Sequence, residues 1–340
     1  MSAAVLADPG GPEPLRIERV PVPAPGPGDV LVAVAAFGIN NAEVLQCRGA
    51  MPVPPAGIPG LECAGTVVAA GDEVTTPRVG DRVAALSRAG AYAEYVAVPA
   101  GACMVLPEEM DLRLAGAFPE VAATAWWNLL HRGRIRAGDR VLIHGAAGGV
   151  GSMAVQLARA QGAVVTGTAR GPEKSALCAE LGAHTVIDYG GTDEFAEARR
   201  LVPEGYDVIL DNQGAPTLGA NVGLLAPLGR LVIVGVAGGG DAQLDLGALM
   251  ATGAEVSSSS LGRLPDEVRA ALCRELAAEV LPALVAGRSR LVHDATFTLD
   301  RIADAHRRFG EPDRVGKVLV TVTGDIAKID AEQRIQLFVR

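Results

Sequence analysis

No C-x-x-C pair occurs among the five cysteines (Cys47, Cys63, Cys103, Cys178 and Cys273), whose number is odd and whose spacing is wide. A disulfide scaffold needs paired cysteines, so this pattern points to a reduced, cytoplasmic protein. The opening residues MSAAVLADPG have neither a basic n-region nor an apolar h-region, which argues against a secretory signal. No window of about 18 apolar residues escapes Gly, Pro or charge. The most apolar stretch, 222–236, is broken by Pro227, Gly229 and Arg230, so no membrane span is expected. Positive charge is also in deficit, with 30 Lys and Arg against 39 Asp and Glu and a net charge of −9. That argues against nucleic acid or an anionic membrane as partner, while leaving room for a local basic pocket. Internal repeats and long low-complexity segments are absent as well.

What remains is material for a large core. The chain has 340 residues, of which 49% are hydrophobic and 20% charged, an ordinary globular balance at a length that favours two domains. Four prolines within residues 21–28 make a loop, since proline cannot continue a helix or a central strand. Short β-like runs are expected at 29–36, 65–70, 82–86 and 93–98, giving a mostly β first part. The pattern changes at about residue 139. Apolar runs at 140–143, 163–167, 185–187, 206–210, 230–236 and 254–258 then alternate with segments of helical length. Such alternation predicts a parallel sheet with crossover helices, its strands buried on both faces. A helical stretch follows at 265–287, then β-like sequence at 291–297 and 316–322, where the chain is expected to return to the first domain. Residues 323–340 are weakly amphipathic and are left unassigned.

The strongest local signal lies at residues 141–162. A buried-strand candidate, Val141-Leu142-Ile143, runs into His144-Gly145-Ala146-Ala147-Gly148-Gly149-Val150-Gly151. Apolar residues then recur at Val150, Ala154, Leu157 and Ala158, one face of a helix, and Gly162 stands where a helix would end. In that setting glycines permit a tight turn, let backbone approach a pyrophosphate, and seat the helix N-terminus close to the anion. Ala147, Gly148, Gly149 and Val150 are therefore candidate cofactor contacts. The second strand ends in Gly167-Thr168-Ala169-Arg170, with no carboxylate before Glu173 to receive the ribose hydroxyls of NAD. Arg170 and Lys174 are instead placed to neutralise a 2′-phosphate, and Tyr189 can add a hydroxyl, so NADPH is the expected cofactor.

Further short motifs occur in order. They are Gly38-Ile39-Asn40, Pro59-Gly60-Leu61-Glu62-Cys63-Ala64-Gly65, Gly80-Asp81-Arg82-Val83, Gly90-Ala91-Tyr92-Ala93-Glu94-Tyr95, Thr124-Ala125-Trp126, the turn above, and Gly316-Lys317-Val318. Their series resembles the zeta-crystallin-like quinone oxidoreductases of the medium-chain dehydrogenase/reductase superfamily, and the likeness extends to about residue 322. One departure is Gly145, which stands where the family's turn has alanine. The resemblance implies an α/β fold: a doubly wound parallel-sheet (Rossmann) domain at 123–262, with a mostly β GroES-like catalytic domain built from 1–122 and 263–340. It implies that Asn40 and Thr124 lie near the nicotinamide and that Lys174 and Tyr189 hold the 2′-phosphate. Gly235 and Lys317 would be further cofactor contacts. It also implies a homodimer, with strands around 254–258 pairing across it.

Zinc members of that superfamily place a Cys near position 40 and a His in a G-H-E triplet. Here Asn40 and Asn41 occupy the first region, and Leu61 stands between Gly60 and Glu62. The segment 87–95 is too short for a four-cysteine lobe, so neither zinc site is expected. His131, His144, His184, His293 and His306 have no ligand spacing, and His144 reads as a turn histidine. Without a metal, a small conjugated acceptor is the easier substrate, because its charge spreads on hydride addition. The expected activity is therefore reduction of a quinone or an α,β-unsaturated carbonyl. An enoyl-thioester or polyketide-intermediate reductase and a non-catalytic NADPH-binding protein are the alternatives. Related reductases often carry a Tyr-Pro-x-Pro stretch; here it is Met51-Pro52-Val53-Pro54, and the proton donor stays open among solvent, Asn40 and another tyrosine. Tyr92 and Tyr95 read as packing residues. Met51, Trp126 and Trp127 are candidates for an apolar substrate wall, with at least one tryptophan expected in the core.

Overall fold

Runs of small and β-branched residues between Gly- and Pro-rich turns build the first part of the chain as strands. The computed structural model describes residues 1–322, and the unassigned segment 323–340 lies outside them. In chain order the strands are β1 Ser2–Leu6, β2 Leu15–Arg19, β3 Asp29–Gly38, β4 Glu62–Ala70, β5 Arg82–Leu86, β6 Tyr95–Pro99 and β7 Cys103–Val105. Then come β8 Arg140–Ile143, β9 Val164–Ala169, β10 Thr185–Asp188, β11 Tyr206–Asp211, β12 Leu225–Ile233 and β13 Glu255–Ser258, followed by β14 His293–Thr298 and β15 Lys317–Thr321.

Two units form. The first comprises Met1–Glu120, Pro265–Ala286 and the described residues from His293 onward. Its main sheet has the order β14-β15-β3-β4-β5-β7, with β6 also on β3. β3 is its centre: nearly every residue of DVLVAVAAFG is buried, as a strand covered on both faces requires. β1, β2 and β7 were not among the expected strands. β2 is exposed over four of its five residues and shows no alternation to read. It exists because β1 pairs with it antiparallel, while Ala4 N–H donates to the Tyr92 carbonyl at 2.8 Å.

The second unit comprises Val121–Leu264 and Gly287–Val292. Its sheet is wholly parallel, in the order β10-β9-β8-β11-β12-β13. The order reverses beside β8, as in doubly wound nucleotide-binding sheets. Val141, Leu142, Ile143, Val208 and Ile209 are fully buried on β8 and β11. The strand expected at 230–236 runs instead over 225–233. A bulge between the pairs Tyr206↔Leu225 and Val208↔Arg230 accommodates Pro227, which has no N–H for the ladder, and Leu228 at φ 61°. Among the described residues no helix is long and apolar enough to cross a membrane.

Candidate cofactor and active site

In the second unit, β8 ends at Ile143 and a helix begins at Gly149, running to Ala160. The turn between them is held by β9: Gly145 N–H donates to Thr168 Oγ1 at 3.2 Å and Ala146 N–H to the Thr168 carbonyl at 2.9 Å. Gly145 has φ 61°, a conformation that favours glycine. Gly151 lets the helix press on the turn, because a Cβ there would collide with the Gly145 carbonyl and lie 2.8 Å from Ala146 Cα. Gly148 differs. Its φ of −76° and ψ of 177° suit any residue, and a Cβ would meet only the Gly145 carbonyl, at 3.3 Å. Packing within the chain therefore does not account for glycine at 148. The residue is the N-cap of a 12-residue helix with no side-chain cap, so its first-turn N–H groups are left for another acceptor.

His144 is buried, as a turn histidine should be. Its Nε2 lies 2.8 Å from Asn221 Oδ1, and its Nδ1 lies 3.5 Å from Thr168 Oγ1 and 3.7 Å from Glu194 Oε2. Burial pulls its pKa down, but the bonds to Glu194 and Asn221 and the charge of Asp211 outweigh that and leave it raised.

Beyond β9, the Arg170 guanidinium sits 5.3 Å from the centre of the Tyr189 ring, and Lys174 lies in the first turn of the helix Pro172–Glu180. One carboxylate here escaped the sequence reading. Asp188, last residue of β10, pairs with Ala169 across the parallel ladder. Its Oδ1 accepts the N–H groups of Gly171 and Gly190, each at 2.8 Å, which hold its pKa below the usual carboxylate range. It is engaged in fixing the two glycine turns beside Arg170 and Tyr189. Reading β10 as the neighbour of β9 would have found it.

The first unit holds a cluster of buried charge. β3 lies between β15 and β4 in the sheet, so the residue two past its end lies between the first residues of its neighbours. Those residues are Asn40, Lys317 and Glu62. Lys317 Nζ donates to Glu62 Oε1 at 2.6 Å, to Asn40 Oδ1 at 2.5 Å and to the Ile39 carbonyl at 2.9 Å. Asn40 Nδ2 donates to Glu62 Oε1 at 3.0 Å. Gly38 makes room for the pair, since a Cβ there would collide with Glu62 Oε1 and lie 2.7 Å from Lys317 Cε. Glu43 receives Asn40 N–H and Leu61 N–H, both at 3.0 Å, and the Glu120 N–H donates to Glu62 Oε2 at 2.8 Å. Burial pushes the Glu43 carboxyl up to about 7 against the pull of Lys317. Desolvation, reinforced by Glu62 and Glu43, pushes Glu120 up to about 8. Lys317, expected at the cofactor, thus directs all three of its N–H bonds inward.

Zinc does not fit these residues. Asn40 and Leu61 supply no cysteine or histidine, and the Lys317 ammonium packs directly on Glu62. Among the described residues no three His, Cys, Asp or Glu side chains converge as a metal site.

The remaining expected site residues fall as follows. Met51 is exposed in the first unit, whereas Trp126 is buried in the second. Trp127 stacks on His131 at 4.6 Å. Thr124 is half-buried, and its carbonyl accepts from Asn128 Nδ2 at 2.7 Å. Gly235 lies past the end of β12, where a Cβ would sit 3.1 Å from the Asn212 carbonyl. Tyr92 is fully buried, stacked on Phe37 with its hydroxyl 3.1 Å from His306 Nε2, a packing residue and not an accessible acid. Tyr95 is half-buried on β6. Glu43, Glu62 and Glu120 carried no expected role. The available signal was a carboxylate opening the otherwise apolar run 62–70.

Comparison with known proteins gives the following. Residues 26–108 match the alcohol dehydrogenase GroES-like domain family, and residues 149–278 match the family described as zinc-binding dehydrogenase. The quinone oxidoreductase of Sus scrofa is 33% identical over 311 residues, covering 90% of this chain and 93% of its own. A synaptic vesicle membrane protein VAT-1 homolog of Danio rerio is 31% identical over 312 residues, covering 86% of this chain and 64% of its own. The chain thus spans less than two thirds of that relative. The crystal structure of Escherichia coli quinone oxidoreductase complexed with NADPH superposes with a TM-score of 0.85 at 26% identity, covering 94% of this chain and 100% of that one.

Proposed function

The chain belongs to the quinone oxidoreductase-like members of the medium-chain dehydrogenase/reductase superfamily, and from that premise we propose that it is an NADPH-dependent reductase of quinones or other α,β-unsaturated carbonyls, working without zinc. The observation that carries this reading is Gly148. A glycine that the fold does not need, at the uncapped start of a long helix, fits a pyrophosphate laid against the backbone. Ala147, Gly148, Gly149 and Val150 hold that group. Arg170, Lys174 and Tyr189 grip the 2′-phosphate, two cations and a hydroxyl where NAD would need a carboxylate acceptor. Thr124 and Gly235 are further cofactor contacts. When bound, NADPH supplies a hydride.

The chain's own residues then act by binding and orientation. With neither zinc nor an accessible tyrosine acid assigned, the acceptor that needs least assistance is a conjugated one. Steady-state oxidation of NADPH against a panel of quinones, enones and acyl-thioesters tests the reading. Turnover with quinones or enones is expected. Turnover confined to acyl-thioesters would move the assignment to enoyl-thioester reduction, and none with any acceptor would leave a non-catalytic NADPH-binding protein.

The unit also has a surface suited to the proposed homodimer. β13 is the edge of the parallel sheet, and the helix Leu246–Thr252 before it buries no residue. Met250 is 81% exposed, Leu228 71% and Leu246 64%. An open strand edge beside three exposed apolar side chains is a surface that monomers avoid. Met250→Asp is expected to convert dimer to monomer in size-exclusion chromatography with light scattering. A wild-type monomer, or an unchanged dimer in the variant, would remove this assignment.

A further inference from the structure

Two turns carry the residues proposed for the 2′-phosphate, and one side chain joins them. Strands β9 and β10 run parallel, and their ladder ends where Asp188 pairs with Ala169. Past that point β9 leads into Arg170-Gly171 and the helix that holds Lys174, while β10 leads into Tyr189-Gly190. All of these residues belong to the second unit. Asp188 Oδ1 accepts the Gly171 N–H from one turn and the Gly190 N–H from the other, each at 2.8 Å. A single carboxylate oxygen thus ties the two turns together.

The tie reaches each candidate contact. Gly171 takes φ 86°, and its carbonyl accepts the Ser175 N–H at 3.1 Å and the Ser175 hydroxyl at 2.9 Å. Holding Gly171 therefore holds the first turn of the helix, where Lys174 lies. On the other side, Tyr189 N–H donates to the Ala169 carbonyl at 3.0 Å, and the next residue is bound to Asp188. Gly190 packs so closely that a Cβ there would stand 3.0 Å from Asp188 Oδ1 and 3.6 Å from Arg170 Cγ. Arg170 and Tyr189 are exposed, and the guanidinium of one lies 5.3 Å from the ring centre of the other. Long exposed side chains lose freedom when they grip a ligand, and fixing their backbones beforehand lowers that cost.

We propose that Asp188 is a positioning residue that sets cofactor specificity: by tying the Gly171 and Gly190 turns it holds Lys174, Arg170 and Tyr189 as one preformed site for a 2′-phosphate. This rests on the NADPH reading above. The carboxylate acts through the backbone and not by touching the cofactor, since its Oδ1 is taken up by two N–H groups.

The test separates the 2′-phosphate from the rest of the cofactor. Adenosine 2′,5′-bisphosphate and 5′-AMP differ by that group alone, and isothermal titration reads their binding to the full-length chain without turnover. Wild type should bind the bisphosphate more tightly. Asp188→Ala should weaken the bisphosphate about tenfold, because side chains fixed beforehand must now be ordered on binding, and 5′-AMP by no more than about twofold. KM for NADPH should rise in step, with that for NADH nearly constant. Asp188→Asn keeps an acceptor oxygen for both N–H groups and should restore bisphosphate affinity to within about threefold of wild type. Asp188 is half-buried, so Asp188→Ala should fold, with circular dichroism and thermal midpoint as the check. If it does not, the Asp188→Asn result decides. An unchanged preference for the bisphosphate in folded Asp188→Ala overturns the proposal, as does its loss in Asp188→Asn. Weaker binding of 5′-AMP and NADH in Asp188→Ala would make Asp188 an acceptor of ribose hydroxyls, as NAD sites require of a carboxylate, and also overturns it. If wild type does not distinguish the bisphosphate from 5′-AMP, the 2′-phosphate reading itself falls, and the proposal with it.

Discussion

Gly148→Val is expected to abolish NADPH binding and to leave the chain folded. The two halves of that outcome come from separate facts. Folding survives because φ −76° and ψ 177° lie in the extended region that valine adopts readily, and because the nearest atom to the new Cβ is one carbonyl at 3.3 Å, which has only to yield by tenths of an ångström. Binding should fail because, in the proposed site, the branched side chain would occupy the space where backbone and pyrophosphate touch. Isothermal titration should show no NADPH heat, with circular dichroism and thermal midpoint near wild type. Gly151→Val is the contrast. Its Cβ would meet the Gly145 carbonyl and Ala146 inside the fold, so it should lower the thermal midpoint before any ligand is added. A folded Gly148→Val chain that still binds NADPH would overturn the assignment of the turn.

Lys174→Ala is expected to raise the apparent constant for NADPH and to leave that for NADH nearly unchanged. A hydrogen bond to a charged partner contributes about 1.5–3 kcal/mol, so one lost phosphate contact corresponds to roughly 10- to 150-fold weaker binding. NADH has no 2′-phosphate and loses nothing. Arg170→Ala should act in the same direction, with the added loss of its contact to the Tyr189 ring. Steady-state kinetics with both cofactors measure the ratio directly. Equal losses for NADPH and NADH would show that these cations serve helix stability or the pyrophosphate, and the 2′-phosphate assignment would fall.

The parts of the site that were legible beforehand are contiguous in the chain. Residues 141–162 read as strand, glycine turn and helix, and the structure has β8, the turn and the helix Gly149–Ala160, with Gly162 at φ 79° just past its end. β5 and β8 begin and end where their apolar runs do, at 82–86 and 140–143. The misreadings share a cause. β2 and β7 are short, carry little alternation, and form because a neighbour offers its backbone. β12 carries a proline that locally signals a break and that a bulge absorbs. Asp188 was overlooked because its relation to Arg170 runs across two strands, not along one.

Local pattern by itself determined the strand, glycine turn and helix at 141–162, the alternation that makes a parallel sheet, and the absence of zinc-ligand residues at positions 40 and 61. Those properties depend on residues within a few turns of one another, and steric rules act over that range. Only the tertiary structure decided that Lys317 faces inward, that Glu62 and Asn40 share its ammonium, and that Gly148 is spare to the fold while Gly151 is not. Lys317 is 277 residues from Asn40 and 255 from Glu62, and they meet because β15 and β4 both flank β3. Strand pairing over such separations is chosen by burial of the whole sheet, so the charge it brings together is invisible to any local window.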